Sequence, residues 1–450
     1  MRYHCFNLFF EILYTKCHGR NTSNSIYTLN KLWKIYQNFQ FLNTLSEEYP
    51  KNRTLLRKSV IRDEINKVLK VLSPSLKLGD PKNISHVSHV VDTIEVSLNR
   101  SEIIRLKNVH NRLVNLKHLV ESLTNAKHID KSLVIFSHDY WDDEINHFIR
   151  SISAFKVMQI FFPFSIQLNP FSFPGRDPRD CLWNGTHLKN VTKCLNLNWS
   201  DRFGHYRVAS LTQIKHHWWW KLVQIFDKIR ELQEFRGYVL FLEEDHYVFP
   251  DILHILKLLV VESRKLQEPV NVFCLGNYQG QLAKDSTVTY LRKWFVSGFN
   301  MGFAFNRDIY KDIKKCAKEF CSYDDYNWDW TLASVVSSCF KKSPPALTLR
   351  FSRVLHIGSC GTHVRGKNCD LVKELALVSW KLKRFSKKFF PTKMEVKKYS
   401  KFSKRMMMMN GGWRDIRDHS LCLAISNGTS DTETVLNNLQ DKNFKFEQIQ

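Results

Sequence analysis

The sequence predicts an α/β fold in which a mainly parallel sheet is flanked by helices. From residue 101 onward, short apolar runs alternate with amphipathic stretches, as they do in strand–helix units. Three runs, at 132–137, 237–243 and 269–275, have the length and the β-branched or aromatic content of buried strands. Because polar residues follow each run, ligand-binding groups are expected just beyond the strand ends.

Two helices and a further strand complete this prediction. Apolar residues recur at helical spacing from Ile214 to Phe235 and from Asp251 to Lys265, where Asp251 is placed to cap the helix. Such stripes are typical of helix faces that pack against a core. An apolar run from Thr348 to Ile357 is predicted to form one strand.

Composition predicts four segments along the chain. Of its 450 residues, 43% are hydrophobic, which is ample for a large core. Residues 1–20 resemble a degenerate anchor or signal, because the apolar stretch from Tyr3 to Tyr14 contains Glu11 and is shorter than the ~20 residues of a membrane span. We expect a stem rich in Asn, Lys and Ser at 21–95, the functional domain at 96–422, and a polar tail at 423–450.

The formal net charge of +24 is concentrated in a late segment of the chain. Eleven of the twenty-five residues from Lys381 to Arg405 are Lys or Arg, and only Glu395 is acidic. Such a segment is either a solvated basic loop or a surface for an anionic partner such as nucleic acid. No nucleic-acid recognition motif accompanies it. The sequence also lacks GxGxxG and GxxxxGK[ST] patterns, which disfavours dinucleotide oxidoreductases and P-loop ATPases.

Eleven cysteines without a CxxC pair indicate disulfides rather than a zinc or redox site. Eight N-x-Ser/Thr sequons support the same oxidising, glycosylating compartment. They begin at Asn21, Asn52, Asn83, Asn99, Asn184, Asn190, Asn198 and Asn427.

Three polar clusters are candidates for chemistry. Glu243 to His246 directly follows a predicted strand, where carboxylates bind a hard divalent cation or form a solvated turn. Cys321 to Trp330 holds three carboxylates among four aromatics, which suits a sugar site with a desolvated base, or a turn before a buried helix. His356, at the end of a predicted strand, either completes a metal site or is structural.

Two further loops carry polar groups at positions expected of strand ends. In the segment from Val109 to Arg112, Arg112 could neutralise a phosphate. In the segment from Ser137 to Asp139, Asp139 could accept hydrogen bonds from a base or a ribose. Neither pattern is specific for one ligand.

Eight stretches together resemble the N-acetylglucosaminyltransferase II family, and they occur in that family's order. They cover roughly residues 100–422. The stretches are VIFSHDYWDDEIN (134–146), QIFFPFSIQLNP (159–170), FGHYRVASLTQIKHHWWWK (203–221), FLEEDHYVFPD (241–251), FNMGFAFNR (299–307), FCSYDDYNWDWTL (320–332), HIGSCGTH (356–363) and GGWRDIRDHSLC (411–422).

The resemblance implies a glycosyltransferase-A fold with a Rossmann-like sheet and an inverting transferase activity. The enzyme would move N-acetylglucosamine from UDP-N-acetylglucosamine, in β-1,2 linkage, to the α-1,6-arm mannose of N-linked glycans. Asp329 would be the catalytic base, and Asp245 and His356 would bind Mn²⁺. Donor contacts implied by the motif matches are Asn108, Val109, His110, Asn111, Arg112, Asp139, Gln213, Ile214, Lys215, His216 and His217.

The resemblance also implies a cellular setting and a disulfide pattern. The protein would reside in the Golgi membrane with a lumenal catalytic domain, would act on glycans of glycoproteins, and would have no nucleic-acid partner. Four disulfides are implied, namely Cys181–Cys194, Cys316–Cys339, Cys321–Cys422 and Cys360–Cys369.

The chain departs from the family pattern in several places. A cysteine pair expected before Val270 is missing, and Cys274 lies inside the predicted strand instead. An arginine expected after Tyr278 is absent, and the segment from Lys381 to Arg405 is unusually rich in lysine. Two related functions stay open: a glycosyltransferase-A enzyme that acts on another mannose arm, and a glycan-binding homologue without catalytic activity.

Overall fold

The computed structural model describes residues 113–184, 194–278, 285–358, 371–399 and 409–428. All of them belong to the second of the chain's two units, Glu102–Gln450. The predicted anchor, stem, Asn108 to Arg112 and Cys360–Cys369 bridge lie outside the described residues. Among the helices that are described, none combines the length and the hydropathy needed to cross a bilayer.

Helices and strands are interspersed along the described chain, although several strands and several helices follow one another directly. The first elements are α1 (Leu113–Thr124), β1 (Leu133–His138), α2 (Asp143–Arg150), β2 (Lys156–Phe161), α3 (Ala209–Val223), β3 (Val239–Phe241), β4 (His246–Val248), α4 (Ile252–Ser263) and β5 (Val272–Cys274). They are followed by β6 (Val288–Lys293), β7 (Phe303–Phe305), α5 (Arg307–Lys315), α6 (Ala317–Ser322), α7 (Trp328–Ser338), β8 (Pro345–Leu349), β9 (Val354–His356), α8 (Leu371–Phe385), β10 (Glu395–Lys398) and α9 (Ile416–Ser426).

The central sheet has six strands in the order β10–β6–β8–β5–β7–β3. The pairs β5/β8 and β6/β10 are parallel, whereas β3/β7, β5/β7 and β6/β8 are antiparallel. The sheet is therefore mixed, and the prediction of a mainly parallel sheet is wrong. β7 lies between β3 and β5 and runs antiparallel to both of them. Nothing in its three residues indicates the direction in which it pairs.

Two smaller strand pairs accompany the central sheet. β1 and β2 are parallel, and β4 and β9 are antiparallel. The three runs predicted to be buried strands correspond to β1, β3 and β5, so the strands are confirmed. β5 is buried throughout, whereas β1 has a single buried residue and begins with the exposed Leu133.

The predicted strand from Thr348 to Ile357 is interrupted by a buried ion pair. The chain leaves β8 at Leu349 and enters β9 at Val354, and Arg353 lies between them. Its guanidinium Nε donates to Asp251 Oδ1 at 2.9 Å, and both side chains are fully buried. This pairing also corrects the predicted cap, because the Asp251 carboxylate bonds to Arg353 and accepts no capping hydrogen bond from α4.

Helices cover both faces of the central sheet. Along β5, Val272 and Cys274 join a core with α3, α5, α6, α7 and α9. Phe273 faces the opposite way and joins a second core with α1, α2 and α4, as the alternation of side chains along a strand requires. The described part of the chain is thus a three-layer α/β/α arrangement, which confirms the predicted α/β class.

Disulfides fix the helical layer that contains α9. The pairs Cys181–Cys194, Cys316–Cys339 and Cys321–Cys422 are formed, in agreement with the prediction. The bridge from Cys321 to Cys422 spans a sequence separation of 101 residues and joins α6 to α9. By loop-entropy estimates, a link across so long a loop contributes about 5 kcal/mol to stability.

Candidate active site

The candidate site lies at one edge of the central sheet. The last residues of β3 and β5 both pair with Phe303, the first residue of β7. Because β7 is antiparallel to both strands, the segments that follow β3 and β5 meet the segment that precedes β7. These segments carry Asp245, Tyr278 and Asn300, respectively.

Strands β4 and β9 bring the two predicted metal ligands together. His246 pairs with His356 across the two strands, and the Ile357 N–H donates to the Asp245 carbonyl at 2.9 Å. As a result, His356 Nε2 lies 3.3 Å from Asp245 Oδ2. Two residues that are distant in the sequence therefore face each other at the sheet edge.

This pair fits a divalent cation such as Mn²⁺. Neighbouring ligand atoms of an octahedral ion with bonds of about 2.1 Å lie roughly 3 Å apart, close to the 3.3 Å between His356 Nε2 and Asp245 Oδ2. Carboxylate oxygens suit Mn²⁺, and imidazole nitrogens bind first-row transition metals widely. Gly358 provides the space for this carboxylate, since a Cβ at that position would lie 2.2 Å from Asp245 Oδ2.

The turn before β4 concentrates negative charge. Potential ligand atoms of Glu243, Asp245 and His246 lie within 4.8 Å of one another. Loss of water around the carboxylate and the negative charges of Asp245 and Glu244 raise the pKa of Glu243. Burial lowers the pKa of His246 to about 4, so that its ring is neutral, and its Nδ1 accepts from the Glu243 N–H at 3.1 Å. A bound cation would relieve this repulsion.

Asp329, the predicted base, lies in the first turn of α7. Asn300 Nδ2 donates to Asp329 Oδ2 at 2.8 Å and holds the carboxylate in place. Burial raises the pKa of Asp329 to about 6. A carboxylate with such a pKa is basic enough to accept a proton and is still largely ionised near neutral pH.

Tyr278 connects the predicted base with the acidic turn. It lies near Asn300, the residue that also holds Asp329. The pKa of Tyr278 is raised by loss of water and by the charges of Glu243, Asp329 and Asp245, which all lie within electrostatic reach. The base and the acidic turn therefore border the same region.

One face of α3 adds polar groups beside β1. Gln213, His217 and Lys221 recur at intervals of four residues and share this face. Gln213 Nε2 donates to Asp139 Oδ2 at 3.1 Å, and His217 Nδ1 lies 3.7 Å from the same oxygen. Burial lowers the pKa of Lys221, which lies within electrostatic reach of both Asp139 and Glu243. The α3 face thus connects Asp139 with the acidic turn.

Ile214, Lys215 and His216, which were also predicted to contact the donor, do not lie on the α3 face beside Asp139. Ile214 packs against the hydrophobic core. Lys215 is fully buried and donates to two backbone carbonyls, each at 3.0 Å. His216 Nε2 lies 2.9 Å from Asp418 Oδ1 on α9. In this structure these side chains join α3 to its neighbours, and their role in donor binding stays a prediction.

The other two carboxylates of the cluster from Cys321 to Trp330 are also held by the backbone. Asp324 Oδ1 accepts from the Trp413 N–H at 3.0 Å, and Asp325 Oδ2 accepts from the Asn410 N–H at 2.9 Å. They attach the segment before α9 to the turn before α7. Of the three acids, Asp329 is the one that lies beside Asn300.

Three residues near the site were not identified from the sequence. Asn300 lies in a stretch that matches the family, but nothing in that stretch marks it as a partner of the base. Lys221 follows His217 by four residues, and this helical spacing could have identified it. Tyr278 immediately precedes residues 279–284, which lie outside the described residues together with the position of the expected arginine.

Comparison with known proteins identifies the family of the chain. The model of the family described as N-acetylglucosaminyltransferase II (MGAT2) matches residues 81–422. An alpha-1,6-mannosyl-glycoprotein 2-beta-N-acetylglucosaminyltransferase from Homo sapiens is 40% identical over 327 residues, which cover 71% of this chain and 72% of the relative. The protein of the same name from Arabidopsis thaliana is 30% identical over 333 residues, 72% of this chain and 75% of the relative. The chain therefore belongs to the N-acetylglucosaminyltransferase II family.

Proposed function

We propose that the protein transfers N-acetylglucosamine from UDP-N-acetylglucosamine, in β-1,2 linkage, to the α-1,6-arm mannose of N-linked glycans. The observation that carries the proposal is the position of Asp329, held by Asn300 at the sheet edge where Asp245 and His356 converge. The names of the relatives support the choice of acceptor.

The fold proposed for this activity is glycosyltransferase-A with a Rossmann-like core. β3, β5 and β8 share one direction, since β3 and β5 are both antiparallel to β7, and β5 is parallel to β8. The acidic turn follows β3, as expected for a nucleotide and its metal beyond the carboxyl ends of such strands.

In the proposed reaction, Asp329 removes the proton from the mannose 2-hydroxyl. The hydroxyl oxygen forms a bond to the anomeric carbon of N-acetylglucosamine while the bond from that carbon to the UDP oxygen breaks. Attack from the face opposite UDP inverts the anomeric centre, so an α-linked donor gives a β-linked product. Asn300 keeps the Asp329 carboxylate oriented, which reduces the entropy lost in reaching the transition state.

The donor would occupy the space between β1 and the acidic turn. Asp139, Gln213 and His217 offer hydrogen-bonding groups to the nucleotide, and Lys221 offers positive charge to the diphosphate. Asp245 and His356 would hold Mn²⁺. When bound there, Mn²⁺ supplies positive charge that stabilises the departing diphosphate.

Family membership also bears on the cellular setting. Glycan processing and three formed disulfides are consistent with the secretory pathway. We propose that the protein works on the lumenal side of the Golgi membrane.

The proposal is tested by mass spectrometry of a glycan acceptor. With UDP-N-acetylglucosamine and Mn²⁺, we expect a hybrid glycan already modified on its α-1,3 arm to gain one N-acetylhexosamine. Chelation of divalent cations should abolish the gain. Transfer to a different mannose would favour a related enzyme, and binding without transfer would favour an inactive homologue.

Loss of either proposed metal ligand is expected to weaken Mn²⁺ binding. Because even outer-shell partners of bound metals contribute about 10–100-fold to affinity, we expect Asp245→Asn and His356→Ala each to weaken it by about 100-fold or more. Titration calorimetry without substrates measures this directly. Asp312→Asn, which removes an exposed carboxylate on α5, is the control and should bind Mn²⁺ as the wild type does. Unchanged affinity in the two ligand variants would disprove the assignment.

A further inference from the structure

A cavity lies between the loop that precedes β1 and the first turns of α4. Its volume is about 310 Å³, at the lower end of the range for cavities that bind small ligands. The Lys127 N–H donates to the Pro250 carbonyl at 2.9 Å and fastens the loop to the start of α4. We call this space the α4 cavity; its lining residues are His128, Lys131, Ser132, Leu253, His254 and Lys257.

The α4 cavity is separate from the proposed reaction site. Ser132 immediately precedes β1, whereas Asp139 immediately follows it. Because each residue of a strand advances the chain by about 3.3 Å, the whole of β1 spans roughly 20 Å. The cavity therefore lies at the opposite end of β1 from the proposed donor contacts, and the proposed reaction gives its residues no role.

Every titratable side chain that lines the α4 cavity is basic. Lys131 comes from the loop and Lys257 from α4, and the two histidines lie with them. Neither lysine forms an ion pair within the described part of the chain. Asp130, the acidic residue of the loop, is exposed and does not line the cavity. Cations gathered around one cavity repel each other, and an anion bound between them would relieve that repulsion.

The backbone around the α4 cavity is held in an uncommon conformation. Of the described residues, two that are not glycine have positive φ, His128 at 71° and Phe390 at 56°. A phenylalanine rarely adopts this left-handed region. The Phe390 ring is centred 5.7 Å from the ring of His254, whose Nε2 donates to the Pro391 carbonyl at 2.7 Å. Residues held in this way concentrate at ligand sites, because their surroundings must fix them.

We propose that the α4 cavity binds the phosphate group of a small phosphorylated ligand. A phosphate group carries close to two negative charges near neutral pH and has three strong acceptor oxygens. It can therefore accept hydrogen bonds from Lys131 and Lys257 at the same time, and the Ser132 hydroxyl can donate another. A carboxylate has a single charge and two oxygens, so it would compensate the two lysines less completely.

The volume of the α4 cavity leaves room for more than the phosphate itself. One water takes about 30 Å³ of liquid, so a cavity of about 310 Å³ also accommodates a small group attached to the phosphate. Inorganic phosphate and a phosphate monoester share the chemistry that the cavity recognises. Nucleic acid fits less well, because each phosphodiester carries one charge and the lining residues include no Phe, Tyr or Trp on which a base could stack.

The test is isothermal titration calorimetry of the full chain with inorganic phosphate and with glucose 6-phosphate, in metal-free buffer of constant ionic strength. Each partly exposed ion pair contributes up to about a fivefold factor in affinity, so Lys131→Gln/Lys257→Gln should bind both probes at least about tenfold more weakly. Lys257→Glu places a carboxylate at the cavity and should abolish binding there. The probe that binds the wild type more tightly identifies the source of the phosphate.

Matched controls separate binding in the α4 cavity from general charge and from misfolding. Lys311→Gln/Lys318→Gln removes the same charge from exposed lysines on α5 and α6 and should bind phosphate as the wild type does. All variants should melt at the wild-type temperature, because the replaced side chains are exposed. Phosphate should slow amide hydrogen exchange in residues 127–132 of the wild type, and it should not do so in Lys257→Glu.

Several results would overturn the proposal. A wild type that takes up no phosphate at concentrations up to about 10 mM would show that the cavity holds only water. Equal weakening in the lysine control would show a general charge effect, and undiminished binding by both cavity variants would place the phosphate elsewhere. Acetate that binds as tightly as phosphate would exclude recognition of a phosphate group. These measurements involve no glycan transfer, so they stay interpretable even if the proposed transferase activity is wrong.

Discussion

Replacing Asp329 by asparagine is expected to lower the turnover number by about 10²–10⁴-fold, the usual contribution of a general base. The amide has nearly the same shape as the carboxylate, and its oxygen can still accept from Asn300, but it is not basic enough to take the mannose proton. Because the proton moves only during the chemical step, kcat should fall far more than the KM of either substrate changes.

The pH dependence of the reaction is an independent test of the role of Asp329 as the base. Only ionised Asp329 can act as a base, and its pKa is raised to about 6. The wild-type rate should therefore decline as the pH falls below about 6, and the residual rate of Asp329→Asn should lack this decline. Asp308→Asn, an exposed change on α5, is the control. A wild-type rate in the Asp329 variant would contradict its role as base.

Replacing Asp418 by asparagine is expected to lower the free energy of unfolding by about 3–5 kcal/mol, the usual cost of removing one partner of a buried ion pair. Asp418 is fully buried, accepts from Arg207 Nε at 2.8 Å and lies 2.9 Å from His216 Nε2. Burial by itself would raise the pKa of Asp418, but Arg207 and His216 hold it below its usual value. With asparagine at this position, the buried Arg207 guanidinium would lose its main negatively charged partner.

Urea unfolding with the disulfides intact measures this loss. The matched control is Asp285→Asn, because the Asp285 carboxylate pairs with Arg350 at 3.2 Å on the surface, where both side chains are about half exposed. Surface pairs contribute about 0–1 kcal/mol, so the control should unfold close to the wild-type midpoint. Equal losses in the two variants would show that the buried network does not stabilise α9 as described.

The elements of the fold were predictable where apolar runs were long enough. β3 and β5 lie inside the runs identified as strands, β1 extends one residue beyond its run, and α3 and α4 overlap or lie within the predicted helices. The direction of the sheet was not predictable, because β7 has three residues and its place between β3 and β5 depends on pairing. The break between β8 and β9 depends on the buried pair of Arg353 and Asp251, whose members are far apart in sequence.

The site was predictable in part from the residues and in larger part from the family resemblance. An acidic group after a strand indicates a ligand site, but a single histidine carries no spacing signal. The antiparallel pairing of β4 and β9 is what brings His356 to Asp245. On α3, the sequence could not distinguish His217, which faces Asp139, from His216, which faces Asp418, because that depends on where α9 docks.

In the proposed reaction, Asp329 is the base of an inverting transfer beside a metal site formed by Asp245 and His356. The most direct measurement is nuclear magnetic resonance of the product glycan, made with the wild type and with Asp329→Asn. We expect a new β-linked N-acetylglucosamine on the 2-hydroxyl of the α-1,6-arm mannose from the wild type, and at most trace product from the variant. An α-linked product would show that the transfer is not inverting, and equal product from both proteins would show that Asp329 is not the base.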